Sequence, residues 1–476
     1  MDAVVASLVE PLRALLGPRG VLDARAARTP YECDGLAFVR ELPELVLLPR
    51  DTAQCAAAMA LLARAGVPVV ARGAGTGLSG GATPVRGGVL VGTARMRDVL
   101  SIDAPNRRAR VQAGVVNVDL SHACRSHGLH YAPDPSSQKA CTIGGNVAEN
   151  SGGPHCFKHG TTTRHIHGLV IVQHDGSILD LSREGLEPEG LDLVGLFTGS
   201  EGTFGIATEA TVALVPTPEV VETALAIHAS LDDACEAVSE MIARRVEPSA
   251  IEILDKLTIE AVENSVLAAG YPKDAEAVLL VEAEGCDAEV RATMDDVERI
   301  ARGHAASDVR RARDAAQRAK LWAGRKGAYG AMGRVAPDLY VSDAVVPRHR
   351  LRELVRAVTE ICHARRLKVA NVFHAGDGNL HPNISYDRRD AGELARVLEA
   401  GDEIMKVCIA AGGSLTGEHG VGLEKIGGME WLYTREELAA QCRVRAAWDP
   451  DLRMNPGKTI PLRACMETRT RDQVRP

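Results

Sequence analysis

The sequence predicts an α+β protein of two lobes, and three observations carry that expectation. The chain has 476 residues, enough for two or three domains. Its first part sets short apolar strands against three glycine-dense loops, at residues 72–81, 141–153 and 199–206. That texture stops at Pro216 and Pro218, where a boundary is expected, and beyond it strands and helices alternate as in a separate α+β domain.

The elements follow in order. Residues 1–17 carry apolar side chains at helical spacing, which reads as a surface helix packed on a domain. Asp2, Glu10 and Arg13 fall among them, and the basic start and cleavage site of a signal peptide are missing. LVLLPR is a short strand, Asp51 caps a helix over TAQCAAAMALLARAG, and Gly66 ends it. VPVVARG is the next strand and runs straight into the first loop. GGVLVG, VLSID and RARVQAG read as further strands, the last two separated by a turn at APN. A helical pattern covers residues 117–128, and HGLVIVQ and SILDL flank Asp175-Gly176, a hairpin signal. Past the prolines come VVETALAIHAS, a helix over DDACEAVSEMIARR, the strand AVLLVEAEG and a helix through 288–303. LYVSDAVVP, a helix over HRLRELVRAVTEICHARR and the strand KVANVFH follow, and residues 428–460 are helical until DPDLRMNPGKTI.

Composition narrows the class. The formal charge is −8 with no basic domain, which argues against nucleic acid as a partner. No apolar run reaches the roughly 18 to 20 residues of a spanning helix, so no integral membrane segment is expected. The expected location is cytoplasmic, with at most a peripheral attachment to the inner face of a membrane through partners. The 11 cysteines include no C-x-x-C pair, which suits reduced thiols rather than zinc or iron–sulfur ligands.

The first loop, RGAGTGLSGG, contains a literal G-x-G-x-x-G. A dinucleotide fold would open a helix at its last glycines. Pro84, Gly87 and Gly88 rule that helix out, and no acidic residue stands in the required place about 20 residues on. The sequence GKT at 457–459 lacks the earlier glycine of a phosphate-binding P-loop. A loop of small residues after a buried strand can instead turn its backbone N–H groups onto an anion. Three such loops, each pairing glycine with hydroxyl or amide side chains, suggest one extended ligand with a diphosphate in its middle.

PVVARGAGTGLSGG, DPSSQKACTIGGNVAENSGG and GSEGTFGIATEATVAL together resemble the FAD-binding domain of the vanillyl-alcohol oxidase (PCMH-type) superfamily. Within it the chain resembles the FAD-linked subunit of glycolate oxidase and its relatives, the D-lactate and D-2-hydroxyglutarate dehydrogenases, from about residue 40 to 462. The resemblance implies a PCMH-type FAD domain (1–217), an α+β, ferredoxin-like cap (218–425) and a C-terminal segment (426–476) returning to the FAD domain. It implies that Gly73, Ala74, Gly75, Thr76, Gly77 and Ser79 wrap the FAD pyrophosphate. Pro133, Ser136, Thr142, Gly144, Gly145, Asn146 and Ser151 would line the rest of the cofactor, with Gly202 and Ile206 from the third loop and Asn455 from the last segment. Covalent members carry a histidine in the first loop; this chain has none there, so non-covalent FAD is implied.

A second constellation lies in HAGDGNLHPN and GGSLTGEHGVGLEK. His374 and His381 flank a Gly-Asp-Gly turn, a spacing that suggests a loop folding both rings together, and two imidazoles with a carboxylate can hold Zn²⁺, Mn²⁺ or Fe²⁺. Polar loop residues at a domain junction are the alternative. The resemblance assigns His374, His381 and Glu418 to a metal and His419 to the general base, with Asn383 supporting substrate or a ligand. It also makes Arg325 the carboxylate clamp rather than a surface arginine beside Lys326. Where 2-hydroxyglutarate enzymes carry a lysine this chain has Val341, and their threonine after the clamp is Tyr329 here. Both departures favour a small monocarboxylic substrate, glycolate or D-lactate. The resemblance further implies electron transfer to an iron–sulfur subunit and quinone, in a complex with a second flavin-type subunit. The alternatives are a stand-alone D-2-hydroxy acid dehydrogenase and a non-catalytic FAD-binding scaffold subunit.

Overall fold

The computed structural model describes residues 2–84, 88–182 and 190–461. The start of GGVLVG, at Gly87, and the arginines 463, 469, 471 and 475 of the tail lie outside them. The chain divides into two compact units. One comprises Met1–Gly152, Thr161–Thr217 and Glu418–Pro476; the other comprises Gly153–Gly160 and Pro218–Gly417.

The first unit is built on two larger sheets, with a two-stranded ribbon of Leu129–His130 and Val215–Pro216 beside them. In a four-stranded sheet, Leu45–Leu47 and Val69–Arg72 lie parallel to Val89–Gly92 between them, and Val21–Leu22 runs antiparallel at the edge. The helix Thr52–Arg64 makes the crossover between the first two of these strands. Asp51 caps it by accepting the Gln54 N–H at 2.8 Å, and Gly66 at φ 67° lets the chain leave. Its Cys55, Ala58, Met59 and Leu62 are buried with Val5, Leu12 and Leu16 of the N-terminal helix Ala3–Leu16, so that helix packs as its apolar stripe requires. A five-stranded antiparallel sheet orders Val99–Asp103, Arg108–Gln112, Ile206–Ala213, Ile166–Val172 and Ile178–Asp180, and the last pair is the hairpin turning at Asp175-Gly176. Between Arg72 and Pro84 no helix forms, as Pro84 and the following glycines predict.

The second unit is a nine-stranded antiparallel sheet covered by helices. Its strands Val220–His228, Ala250–Asp255, Ala277–Gly285 and Ala306–Arg311 stand in the order fourth, first, third, second. With the helices Leu231–Ala243 and Asp287–Gly303 this is the ferredoxin-like arrangement. The sheet continues through Lys368–His374 and Pro382–Tyr386. The strand Ala250–Asp255 escaped the sequence reading because Glu252 and Asp255 interrupt its apolar run, yet all six of its residues are buried. Residues 153–160 leave the first unit and lie on this sheet. His155 bonds Glu282 at 3.1 Å, His159 bonds Glu284 at 2.6 Å, and the Phe157 ring fills the space a side chain on Gly376 would take.

Candidate active site

In the first unit the glycine loops converge as one cradle. Gly73 has no Cβ because one would stand 2.6 Å from Thr142 Oγ1, so the first and second loops are in contact. Thr142 caps the helix Ile143–Glu149, its hydroxyl accepting the Gly145 N–H at 3.3 Å. Gly144 donates its N–H to Ala113 O at 2.8 Å, and Ser151 donates to Asn146 O at 3.0 Å. Pro133 is buried and its carbonyl accepts from Asn117 Nδ2 at 3.0 Å, whereas Ser136 is exposed. In the third loop Gly202 has φ 72°, where L side chains strain, and buried Ile206 opens the strand that follows. Asn455 joins the loops by donating Nδ2 to Gly81 O at 3.0 Å and Glu201 O at 2.6 Å.

Residues 74–79, which include Ala74, Gly75, Thr76 and Gly77, donate no backbone N–H to any protein acceptor among the described residues. The buried hydroxyls of Ser79 and Ser200 likewise have no partner among them. Ala74 is exposed and residues 75–78 are half-buried, so their N–H groups are open to a ligand, and beside two buried hydroxyls without partners they fit a polar, anionic ligand such as the FAD pyrophosphate.

Behind this cradle lies a charged cluster that no sequence motif announced. Lys458 Nζ donates to the carbonyls of Gly81 and Thr83, at 2.7 and 2.5 Å. Burial pushes its ammonium down to about 7, against the pull of Asp34, Glu149 and Glu201. Glu201 accepts the N–H groups of Val421 and Gly422 at 2.8 and 2.7 Å, so the end of the GEHGVG loop is held in this unit. Burial first, and neighbouring Glu201 second, hold the Glu149 carboxyl well above its ordinary range.

In the second unit, Arg325 is 5 % exposed, so it is not a surface arginine. It comes from the helix Ala315–Lys326, which Trp322 anchors by an indole bond to Glu282. Arg325 Nε and Nη2 lie 2.6 and 2.5 Å from Glu252 Oε2. The other oxygen of Glu252 lies 2.7 Å from His374 Nδ1. Burial pushes the Glu252 carboxyl up, but Arg325 and His374 together bring it below its ordinary value. The rings of His374 and His381 stand edge to face with centroids 5.1 Å apart, so the Gly-Asp-Gly turn does fold them together. His381 Nδ1 is 3.7 Å from Asp343 Oδ1, and Asn383 Nδ2 donates to the His381 carbonyl at 2.7 Å. Val341, the departure from the lysine pattern, is the sheet partner of Asn383, two residues after His381. Two paired, buried imidazoles are a chemically suitable nitrogen set for a divalent cation. Glu418 and His419 follow Gly417 in the chain and are half-buried. Glu252 was missed because a lone glutamate in a strand gives no sequence signal; only the sheet register sets it beside His374.

Known families and proteins match the chain over most of its length. Residues 43–182 match the FAD binding domain family and residues 217–459 match the C-terminal domain family of FAD linked oxidases. The chain is 47 % identical to the glycolate oxidase subunit GlcD of Escherichia coli (strain K12) over 92 % of its own length and 88 % of that protein's. It is 38 % identical to the GlcD subunit of Bacillus subtilis (strain 168), over 94 % of this chain and 96 % of that one. The D-lactate dehydrogenase of Anaerostipes hadrus is 29 % identical over 96 % of this chain and 98 % of its own. Among solved structures, p-cresol methylhydroxylase superposes with a TM-score of 0.81 at 15 % identity, covering 97 % of this chain and 98 % of that one, which shows the shared fold.

Proposed function

The chain belongs to the FAD-linked oxidase family and is an FAD-dependent oxidoreductase of short 2-hydroxy acids, and we propose that it oxidises glycolate or D-lactate to the 2-oxo acid. The observation that carries this reading is the buried set of Arg325, Glu252, His374 and His381, with Val341 where a second substrate carboxylate would need a cation. Arg325 receives the substrate carboxylate, since a guanidinium binds it through two parallel N–H groups. His374, His381 and Glu418 would hold a divalent metal, Zn, Mn or Fe. His419 takes the hydroxyl proton, and Asn383 keeps the His381 segment in place through its carbonyl. When bound, FAD supplies the hydride acceptor and the metal supplies the Lewis acid that polarises the substrate hydroxyl.

The loops 72–81, 141–153 and 199–206 hold FAD without a covalent bond in this reading. The electrons pass to a partner, an iron–sulfur subunit and then quinone, in a complex with a second flavin-type subunit. No helix among the described residues is long and apolar enough to cross a membrane, so any attachment to the inner membrane face comes through those partners.

The test is anaerobic. The flavin band of the purified chain, supplied with Mn²⁺ or Zn²⁺, is followed on adding glycolate, D-lactate, L-lactate or D-2-hydroxyglutarate. Glycolate or D-lactate should bleach it, and His419→Ala should slow bleaching by about 10²–10⁴-fold, the usual contribution of a positioned base. Bleaching by D-2-hydroxyglutarate alone would overturn the substrate assignment.

A further inference from the structure

One buried carboxylate, Glu252, holds the two side chains on which the substrate site depends, one oxygen to each. We infer that Glu252 is the positioning residue of that site, fixing which nitrogen of His374 faces outward and where Arg325 points; this rests on the function proposed above.

Glu252 lies opposite His374 in the antiparallel register, so both side chains leave the same face of the sheet. It is fully buried, opposite Leu280 on the sheet face that also carries Leu254 and its partner Val372. An ionised carboxylate only accepts hydrogen bonds. The 2.7 Å contact with His374 Nδ1 therefore places the ring proton on Nδ1 and leaves the lone pair on Nε2. Arg325 Nη2 comes within 3.4 Å of the same Nδ1. Both are donors aimed at Glu252, so that approach is not a bond between them. With Nε and one N–H of Nη2 engaged on Oε2, the end of the guanidinium formed by Nη1 and the second N–H of Nη2 is left for a substrate carboxylate.

The placement is more than a tie across the core. An apolar residue of similar size would fill this position without the desolvation cost of two buried charges, and such replacements are often neutral or stabilising. What an apolar residue cannot do is choose a histidine tautomer. Carboxylates behind ligating histidines serve that purpose, and their loss weakens metal binding by roughly 10- to 100-fold. Glu252→Gln keeps the shape but offers one acceptor and one donor. The amide nitrogen must face either His374 or Arg325, so one of the two loses its anchor.

The decisive measurement uses the full chain with ¹⁵N-labelled histidine, free of added metal and substrate. The His374 signal is identified by its loss in His374→Ala. We expect the Nδ1–H tautomer in the native protein and a shift toward Nε2–H in Glu252→Gln. Equilibrium dialysis with Zn²⁺ should show the variant binding about 10- to 100-fold more weakly, with unchanged flavin content. An Nε2–H tautomer in the native protein would overturn the inference, as would a variant that binds Zn²⁺ and saturates with glycolate like the native protein. If no 2-hydroxy acid bleaches the native flavin, the substrate reading fails instead. The tautomer, measured without metal or substrate, still decides the role of Glu252, and it does so even if the variant does not fold.

Discussion

Glu149 shows how a single buried carboxyl near the flavin loops sets a pH dependence. Its Oε2 is enclosed and has no hydrogen-bond partner among the described residues. Burial, with Glu201 as neighbour, raises its pKa in the folded state above the ordinary 4.5. The sign follows from linkage. Above pH 4.5 the unfolded chain releases this proton while the folded one keeps it, so the stability Glu149 contributes at low pH is lost as pH rises through the folded value. Glu149→Gln removes that loss. In flavin-free protein, urea unfolding of the two should nearly coincide at pH 4.5, and by pH 8 the variant should be the more stable of the two, since only the native chain must ionise a buried carboxyl. A constant offset across that range would disprove the account. None of this cluster was legible in the sequence. Asp34, Glu149, Glu201 and Lys458 are scattered over more than 400 positions, and only folding makes them neighbours. His374 and His381 were legible, because glycines on both sides of Asp377 allow the tight turn that joins them, whereas Glu252 required knowledge of which strands pair.

At the scale of elements, Gly144 sets helix propensity against packing. It stands in the first turn of the helix Ile143–Glu149, where alanine would favour the helix by about 1 kcal/mol. A Cβ there would meet the Ala113 Cβ at 2.7 Å and the Ala113 carbonyl at 3.0 Å. These neighbours are backbone and the Cβ fixed to it, which cannot swing aside, and overpacking of this kind costs about 1–3 kcal/mol. Packing should win. Gly144→Ala should lower the urea midpoint and reduce the flavin recovered per chain, and an unchanged midpoint would mean that the helix moves to admit the methyl. The helix Thr52–Arg64 was legible end to end, because Asp51 and Gly66 act locally. Elements whose identity depends on tertiary context were not. The strand Ala250–Asp255 hides two buried acids, and the strand Ala306–Arg311, ASDVRR, carries an edge strand's charges.

At the scale of the molecule, the chain closes its first unit with its last described residues. Val69 donates its N–H to Arg453 O at 2.9 Å and Asn455 donates to Val69 O at 2.7 Å, which extends the edge of the four-stranded sheet. Met454 is buried in the core beneath that sheet, in contact with a cluster that includes Leu45, Val69 and Val91. Arg445, also buried, spends its guanidinium on the carbonyls of Met454 and Lys458, at 3.0 and 2.9 Å. Asn455 and Lys458 then hold Gly81 and Thr83, the end of the first glycine loop. Each bond is worth about 1 kcal/mol net, and taking these acceptors from the buried Arg445 guanidinium would cost more. Their joint loss approaches the whole stability of a typical domain, about 5–15 kcal/mol. A chain ending at Asp449 should therefore lose its flavin and the cooperative unfolding of the first unit. The second unit takes none of its residues from this segment, so its antiparallel sheet should persist in far-ultraviolet circular dichroism. A yellow truncated protein with a full complement of FAD would show that the glycine loops hold their shape without the C-terminal residues. The contact between Gly73 and Thr142 would then be what holds the first two loops together.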